Sequence, residues 1–213
     1  MSRPSQNIDQ RLLDAGLALL PATGCRHLSV RQLTDEAGVN LGMFHYHFKT
    51  KDNFIRAVLQ RVYEEMFSEL VVQAGGGNAP LVNLRNLMRT LARFARRHRL
   101  LMVRLVSDAM AGEPLAAEFL KANLPRHFAL IAELVVGAQR DGSLVRAPLP
   151  QVMATIVGAV AGPLLVGSAM QQHGLLAPGI AAAFDEQVLS EQAIDQRIEF
   201  VLRGLATQPE KIK

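Results

Sequence analysis

The sequence predicts an all-α protein, with an N-terminal three-helix helix-turn-helix domain joined to a larger helical domain. Three observations predict it. Apolar residues recur at spacings of three and four along most of the 213 residues, and no stretch of useful length alternates as a strand would. The hydrophobic fraction is 49%, filled by Leu, Ala, Val and Met with 5% aromatics and no Trp, a composition that suits packed helices. Breakers fall between the periodic stretches, at Pro21 to Gly24, at Gly38 and in "AGGGNAP" from Ala74 to Pro80.

Each element has its own signal. Ile8, Leu12, Ala15 and Leu19 give the first helix, stopped near Pro21 and Gly24. Ser29 is placed to cap a second, Val30 to about Ala37, and Gly38 sits where a helix end needs a left-handed residue. Asn40 caps a third, Leu41 to about Phe48, which Lys49-Thr50 ends. A long fourth helix, Lys51 to about Gln73, carries Phe54, Val58, Val62, Met66 and Leu70 on one line. Further helices are expected over residues 81–97, 100–111, 115–140, 149–172 and 185–205.

Charge and cysteine usage narrow the function. The net charge is +4, yet residues 1–52 hold six Lys/Arg against five Asp/Glu, so bulk basicity makes no case for nucleic acid there. Residues 85–104 hold seven arginines and no acid. The single cysteine, Cys25, excludes an internal disulfide and reads as a buried filler in a reducing compartment. No secretory leader is recognised, and a cytoplasmic protein is expected.

The densest signal is "FHYHF", Phe44 to Phe48. Two short helices joined by a glycine turn and packed on a longer one make a helix-turn-helix. At about 100° per residue, Phe44 and Phe48 point together with Leu41 nearby, toward the core. Gly42 and Tyr46 point the other way, flanked by Met43 and His45. That outer face offers flat rings with hydrogen-bonding tips to a DNA groove. Periodicity alone equally fits a short amphipathic helix whose aromatics simply pack.

The stretch "SVRQLTDEAGVNLGMFHYHFKTKDNF" resembles the DNA-binding signature of the TetR family of bacterial transcriptional regulators. The matching residues are Ala37-Gly38-Val39, Phe44 to Phe48 and Lys51, and the likeness extends over about residues 8–60. It implies a DNA-binding domain at 1–52 and an effector-binding and dimerisation domain at 53–213. By position it implies base reading by Arg31, Leu41, Gly42, Met43 and His45, and phosphate contacts from Ser29, Tyr46, His47, Thr50 and Lys51. His45 and Met43 stand where the family usually has Tyr and Thr or Ser, so the operator sequence does not carry over from relatives.

Other constellations are weaker. His45 and His47 lie about 200° apart on a helix and share no ion, so neither a metal nor a cofactor is expected. Val152 to Met170 is a run of 19 uncharged residues, but Pro163, Thr155, Ser168 and its glycines favour an interface helix over a membrane span. The resemblance implies a homodimer formed by the last two long helices, with Gly158, Gly162, Val188, Ile194, Ile198 and Val201 as candidates. It also implies a small-molecule effector among the C-terminal helices. Pocket candidates are Met66, Phe67, Met88, Phe94, Met102, Phe119, His127 and Phe128, residues that serve equally as core. Arg104 and Asp108, four apart, are a further pair for structure or for a ligand's polar end.

The expectation is a ligand-responsive, sequence-specific DNA-binding regulator, a repressor released from a near-palindromic operator by an apolar or amphipathic effector. It is not expected to be an enzyme, since no triad order, phosphate loop or paired carboxylates stand out. A small all-α enzyme or a helical ligand carrier using the C-terminal pocket is the alternative.

Overall fold

The computed structural model describes residues 6–207, and among these the chain is helical apart from turns and one isolated antiparallel bridge between Leu144 and Ala206. The helices are α1 (Gln6–His27), α2 (Val30–Ala37), α3 (Leu41–Phe48), α4 (Lys51–Ala74), α5 (Pro80–Arg97), α6 (Arg99–Met110), α7 (Pro114–Arg140), α8 (Leu149–Ala161), α9 (Ser168–Gln172), α10 (Pro178–Gln187) and α11 (Glu191–Leu205). A π-helical turn, Gly162–Gly167, joins α8 to α9.

The chain forms two compact units. The first holds Met1–Glu65 and Leu100–Leu124. Its core gathers Leu12, Leu20 and Cys25 from α1, Leu33 from α2, Phe44 from α3, Phe54 and Ile55 from α4, with Leu105 and Leu115 from α6 and α7. Packing therefore extends beyond the N-terminal 52 residues, because the apolar line of α4 is needed to cover α1 and α3. Tyr63 ties α4 to α7 by donating its hydroxyl to the Asn123 carbonyl at 2.7 Å.

The second unit holds Met66–Arg99 and Pro125–Lys213. Here α11 packs on α5 and α8 through Ile194, Ile198 and Leu202, all buried. The arginine-rich stretch finds its partners in this contact. Arg85 pairs with Glu199 at 2.8 Å, Arg89 with Asp195 at 3.2 Å and with Glu199 at 3.3 Å, and Arg93 with Glu191 at 3.9 Å. Both sets recur every four residues, so two antiparallel helices align them as a ladder. Much of the basic run is therefore neutralised inside its own unit.

Two expectations about helices need correction. Residues 185–205 are not one helix: α10 ends at Gln187, Val188 leaves helical geometry at φ −119°, and Ser190 caps α11 by accepting from the Ala193 amide at 3.2 Å. Residues 149–172 are not uniformly α-helical: the chain widens into the π turn at Gly162-Pro163, where proline has no N–H to continue the α ladder.

Glu199 serves two arginines and is only about a quarter exposed, with side-chain accessibility 25%. Glu199→Ala is expected to lower stability by about 1–2 kcal/mol, between the values for surface and buried pairs. Urea unfolding of both proteins checks this, and the difference should shrink at high salt.

Candidate nucleic-acid interface

An eight-residue helix needs outside support, and the local sequence provides caps at both neighbouring ends. Ser29 Oγ accepts the Gln32 amide at 3.4 Å, and Asn40 Oδ1 accepts the Met43 amide at 3.0 Å. Between them the chain turns at Gly38, φ 61°, whose N–H bonds to Asp35 O at 3.1 Å while Val39 N–H bonds to Thr34 O at 3.0 Å. Left-handed backbone is open to glycine without steric cost, and these bonds satisfy the carbonyls at the end of α2. Arg11 adds a tie that sequence reasoning missed: its Nη2 donates to the carbonyls of Ala37 and Gly38. Its only advance signal was a place on the polar side of α1, which does not specify a target.

The aromatics of α3 divide into two sets. Phe44 is fully buried, its ring centroid 5.5 Å from Phe54 and 5.9 Å from Phe48, and Phe48 meets Phe54 nearly edge-on at 4.9 Å. Tyr46 is 73% exposed and His45 is exposed beside it. Leu41, placed by periodicity beside the buried phenylalanines, is instead 50% exposed. It occupies the first turn of α3, outside the aromatic packing. Arg31, Leu41, Gly42 and His45 are thus exposed, with Met43 half-buried.

The phosphate candidates are more varied. Ser29 and Thr50 both cap helices, Thr50 Oγ1 accepting the Asn53 amide at 3.1 Å. Each hydroxyl is an acceptor in its cap, which leaves its proton to donate outward. Lys51 donates Nζ to Arg26 O at 2.9 Å, so its ammonium closes the end of α1. His47 is half-buried, stacked edge-on against Tyr46, with Nε2 buried and without a hydrogen-bond partner. Lys49 is exposed at φ 64°, a rare setting for a non-glycine residue.

The effector candidates fall in both units. Met102, Arg104, Asp108 and Phe119 belong to the first, Phe119 meeting the Tyr63 ring at 6.1 Å. Arg104 and Asp108 are engaged with the backbone at the end of α1. Met66, Phe67, Met88, Phe94, His127 and Phe128 belong to the second. There the Arg126 guanidinium lies 4.1 Å from the Phe67 ring centre, Phe94 packs on His98, and His127 on Phe128. Met88 lines a crevice of about 10 Å³ with Ile156, Val160, Ile198 and Val201, room for a water at most.

The dimer candidates also separate. Ile194 and Ile198 are buried within the protomer, Val201 lines the crevice, and Val188 lies in the break before α11. Gly158 and Gly162 have open space where a side chain would be. Within the helical stretch Leu149–Gln172 an apolar window of 18 residues has a mean hydropathy of 1.9, yet only 28% of that window is buried. Ala154, Gly158, Val166 and Met170 are exposed along it.

Residues 12–58 match the family model described as "Bacterial regulatory proteins, tetR family". No curated protein matches the sequence. Among solved structures, a ketosteroid transcriptional regulator of Mycobacterium tuberculosis, KstR2, superposes with TM-score 0.71 at 17% identity, covering 94% of this chain and 95% of that one. The TetR family regulator PfmR from Thermus thermophilus gives 0.69 at 14% identity, covering 91% and 97%. A transcriptional regulator from Rhodococcus gives 0.64 at 23% identity, covering 94% and 99%. At these identities the structures establish a shared fold.

The division of the α3 aromatics has a direct check. Tyr46→Ala should change unfolding free energy by less than about 0.5 kcal/mol, as for an exposed side chain. Phe44→Ala should cost about 3–5 kcal/mol. Urea titrations of the two variants beside the parent protein measure both.

Proposed function

We propose that this chain, whose N-terminal segment belongs to the tetR family of bacterial regulatory proteins, acts as a cytoplasmic homodimeric repressor that a small apolar or amphipathic molecule releases from its operator. The observation that carries the DNA reading is the two-faced α3, with Phe44 locked in the core while Leu41, His45 and Tyr46 stand exposed beside it. In this reading Arg31, Leu41, Gly42, Met43 and His45 meet base edges, and Ser29, Tyr46, Thr50 and Lys49 meet phosphates. Lys51 and His47 are the weaker phosphate candidates, since one caps α1 and the other is turned partly inward. Functionally residues 1–52 carry the DNA contacts, although they fold together with parts of α4, α6 and α7.

Dimerisation is supported by the uncovered apolar side of α8 and α9. A membrane-length stretch so little buried in its own protomer needs another cover, and open glycines at 158 and 162 permit close helix approach. Two copies related by a two-fold axis present two reading helices to matching half-sites. An effector that favours a dimer with differently spaced helices draws the population off DNA. The apolar character of the effector is supported by the Met and Phe candidates, and by the fold neighbour KstR2, a ketosteroid transcriptional regulator. The chain is read as having no catalytic role.

Selection of bound sequences from a random DNA pool tests the regulator reading. A near-palindrome should emerge with half-sites about 34–36 Å apart, or a multiple. His45→Ala should relax preference at specific base pairs by about 1–3 kcal/mol. Failure to enrich any palindrome would remove the DNA-binding proposal. For assembly, light scattering should give a dimer for the parent protein and a monomer for Gly162→Leu. A monomeric parent at micromolar concentration sinks the proposed interface.

A further inference from the structure

The end of α1 is broken, and α6 holds the break. Gly24 sits at φ 67°, ψ −178°, three residues before the end of the span Gln6–His27. Asp108 Oδ2 accepts the Cys25 amide at 2.8 Å, and its Oδ1 accepts from Arg104 Nε at 2.8 Å. Arg104 then donates Nη2 to Thr23 O at 3.2 Å and Nη1 to Ala22 O at 3.5 Å. A methyl at position 24 would lie 2.5 Å from both Arg104 Nη2 and Asp108 Oδ2, so the pair fills the space that glycine vacates. Asp108 is only 8% exposed. An ionised carboxylate is kept at such a depth only when its charge and lone pairs are matched, as they are here.

What lies beyond the break is the reading head. Four residues after Cys25 comes Ser29, the cap of α2, and then Arg31. Lys51 closes the same helix end from α4 by donating to Arg26 O, and Arg11 holds the α2–α3 turn from α1. Charged side chains on backbone carbonyls therefore fix α1 to α6, α4 and the turn. Displacement of the Cys25 amide must pass along a short, capped connection into Ser29 and Arg31.

We propose that Arg104 and Asp108 are positioning residues for DNA recognition, a clamp by which α6 sets the placement of α2 and α3 through the broken end of α1. This rests on the reading of α2 and α3 as the DNA-binding elements. Closed, the clamp presents Ser29 and Arg31 in register with α3. Open, the protein stays folded but loses sequence-specific affinity. Cys25, the chain's single cysteine, is a built-in reporter. Its side chain is buried, and burial, with the adjacent Asp108 carboxylate next in effect, pushes the thiol up to about 12. Alkylation needs an accessible thiolate, so a closed clamp makes Cys25 unreactive.

The test compares the full-length parent with Asp108→Asn and Arg104→Gln, using the sequence enriched from the random pool. Expected are unchanged circular dichroism and dimer mass, operator affinity weaker by at least about tenfold, and binding to unrelated DNA at low salt within about twofold. General misfolding would lower both kinds of binding together, and the loss of circular dichroism would mark it. Alkylation of Cys25 by iodoacetamide at about pH 8 should speed up in both variants. In the parent protein, which needs no substitution to test, adding operator DNA should slow it. Folded variants with parental operator affinity would overturn the clamp, as would a Cys25 rate indifferent to operator in the parent. If the pool yields no enriched sequence, the regulator reading falls first and the clamp falls with it.

Discussion

Eight residues of helix are too few to persist in water, because nucleating the first turn costs more than two turns return. The whole first unit answers that constraint. Phe44 reaches inward to Phe54 and fixes the rotation of α3 about its own axis. The caps at Ser29 and Asn40 fix where α2 and α3 begin, and Gly38 fixes the angle between them. Because α3 borrows its stability, its other face is free of any packing duty. That freedom is what allows Leu41, His45 and Tyr46 to remain exposed without cost to the fold.

The same division explains what could be read in advance. Helices α2 and α3 were legible closely, since Ser29 and Asn40 cap their starts and Gly38 ends α2 at positive φ, signals that act over three or four positions. The break between α10 and α11 has such a signal in Ser190, but the apolar residues on either side sustain a helical period across it. The exposure of Leu41 was not legible in periodicity, which set it beside the buried phenylalanines while the family resemblance set it among the base readers, because a residue in the first turn faces core or solvent according to what tertiary packing places beside it. Nor was the target of Arg104 and Asp108. Their spacing of four announces a pair, yet nothing local says that the pair closes on residues 22–25, some eighty positions earlier. Lys51 is a similar case, a cation at a helix start whose partner is a carbonyl in another helix.

Charge shows why composition is a poor guide to partners. The densest basic stretch of the chain lies in residues 85–104, and its arginines at 85, 89 and 93 face acids of α11. The face read as the DNA contact belongs to a segment close to neutral. Long-range attraction to phosphate is correspondingly weak there, and short-range fit must carry more of the affinity.

The π turn between α8 and α9 changes the geometry of the seam proposed for dimerisation. Ala154, Gly158, Gly162, Val166 and Met170 are spaced four apart. On a straight α-helix each such step advances by about 40°, so a line of five would wind almost to the opposite side. The wider turn at Gly162–Gly167 takes up the surplus and unwinds the line, leaving its members on the outer side, with only Gly162 partly covered. A row that winds around its helix meets a two-fold-related copy at one crossing point, whereas an unwound row lies along it for several turns. One inserted or deleted residue between 162 and 167 would swing the far end of that row by about 100°, so the proposed seam would constrain chain length in this segment more tightly than residue identity.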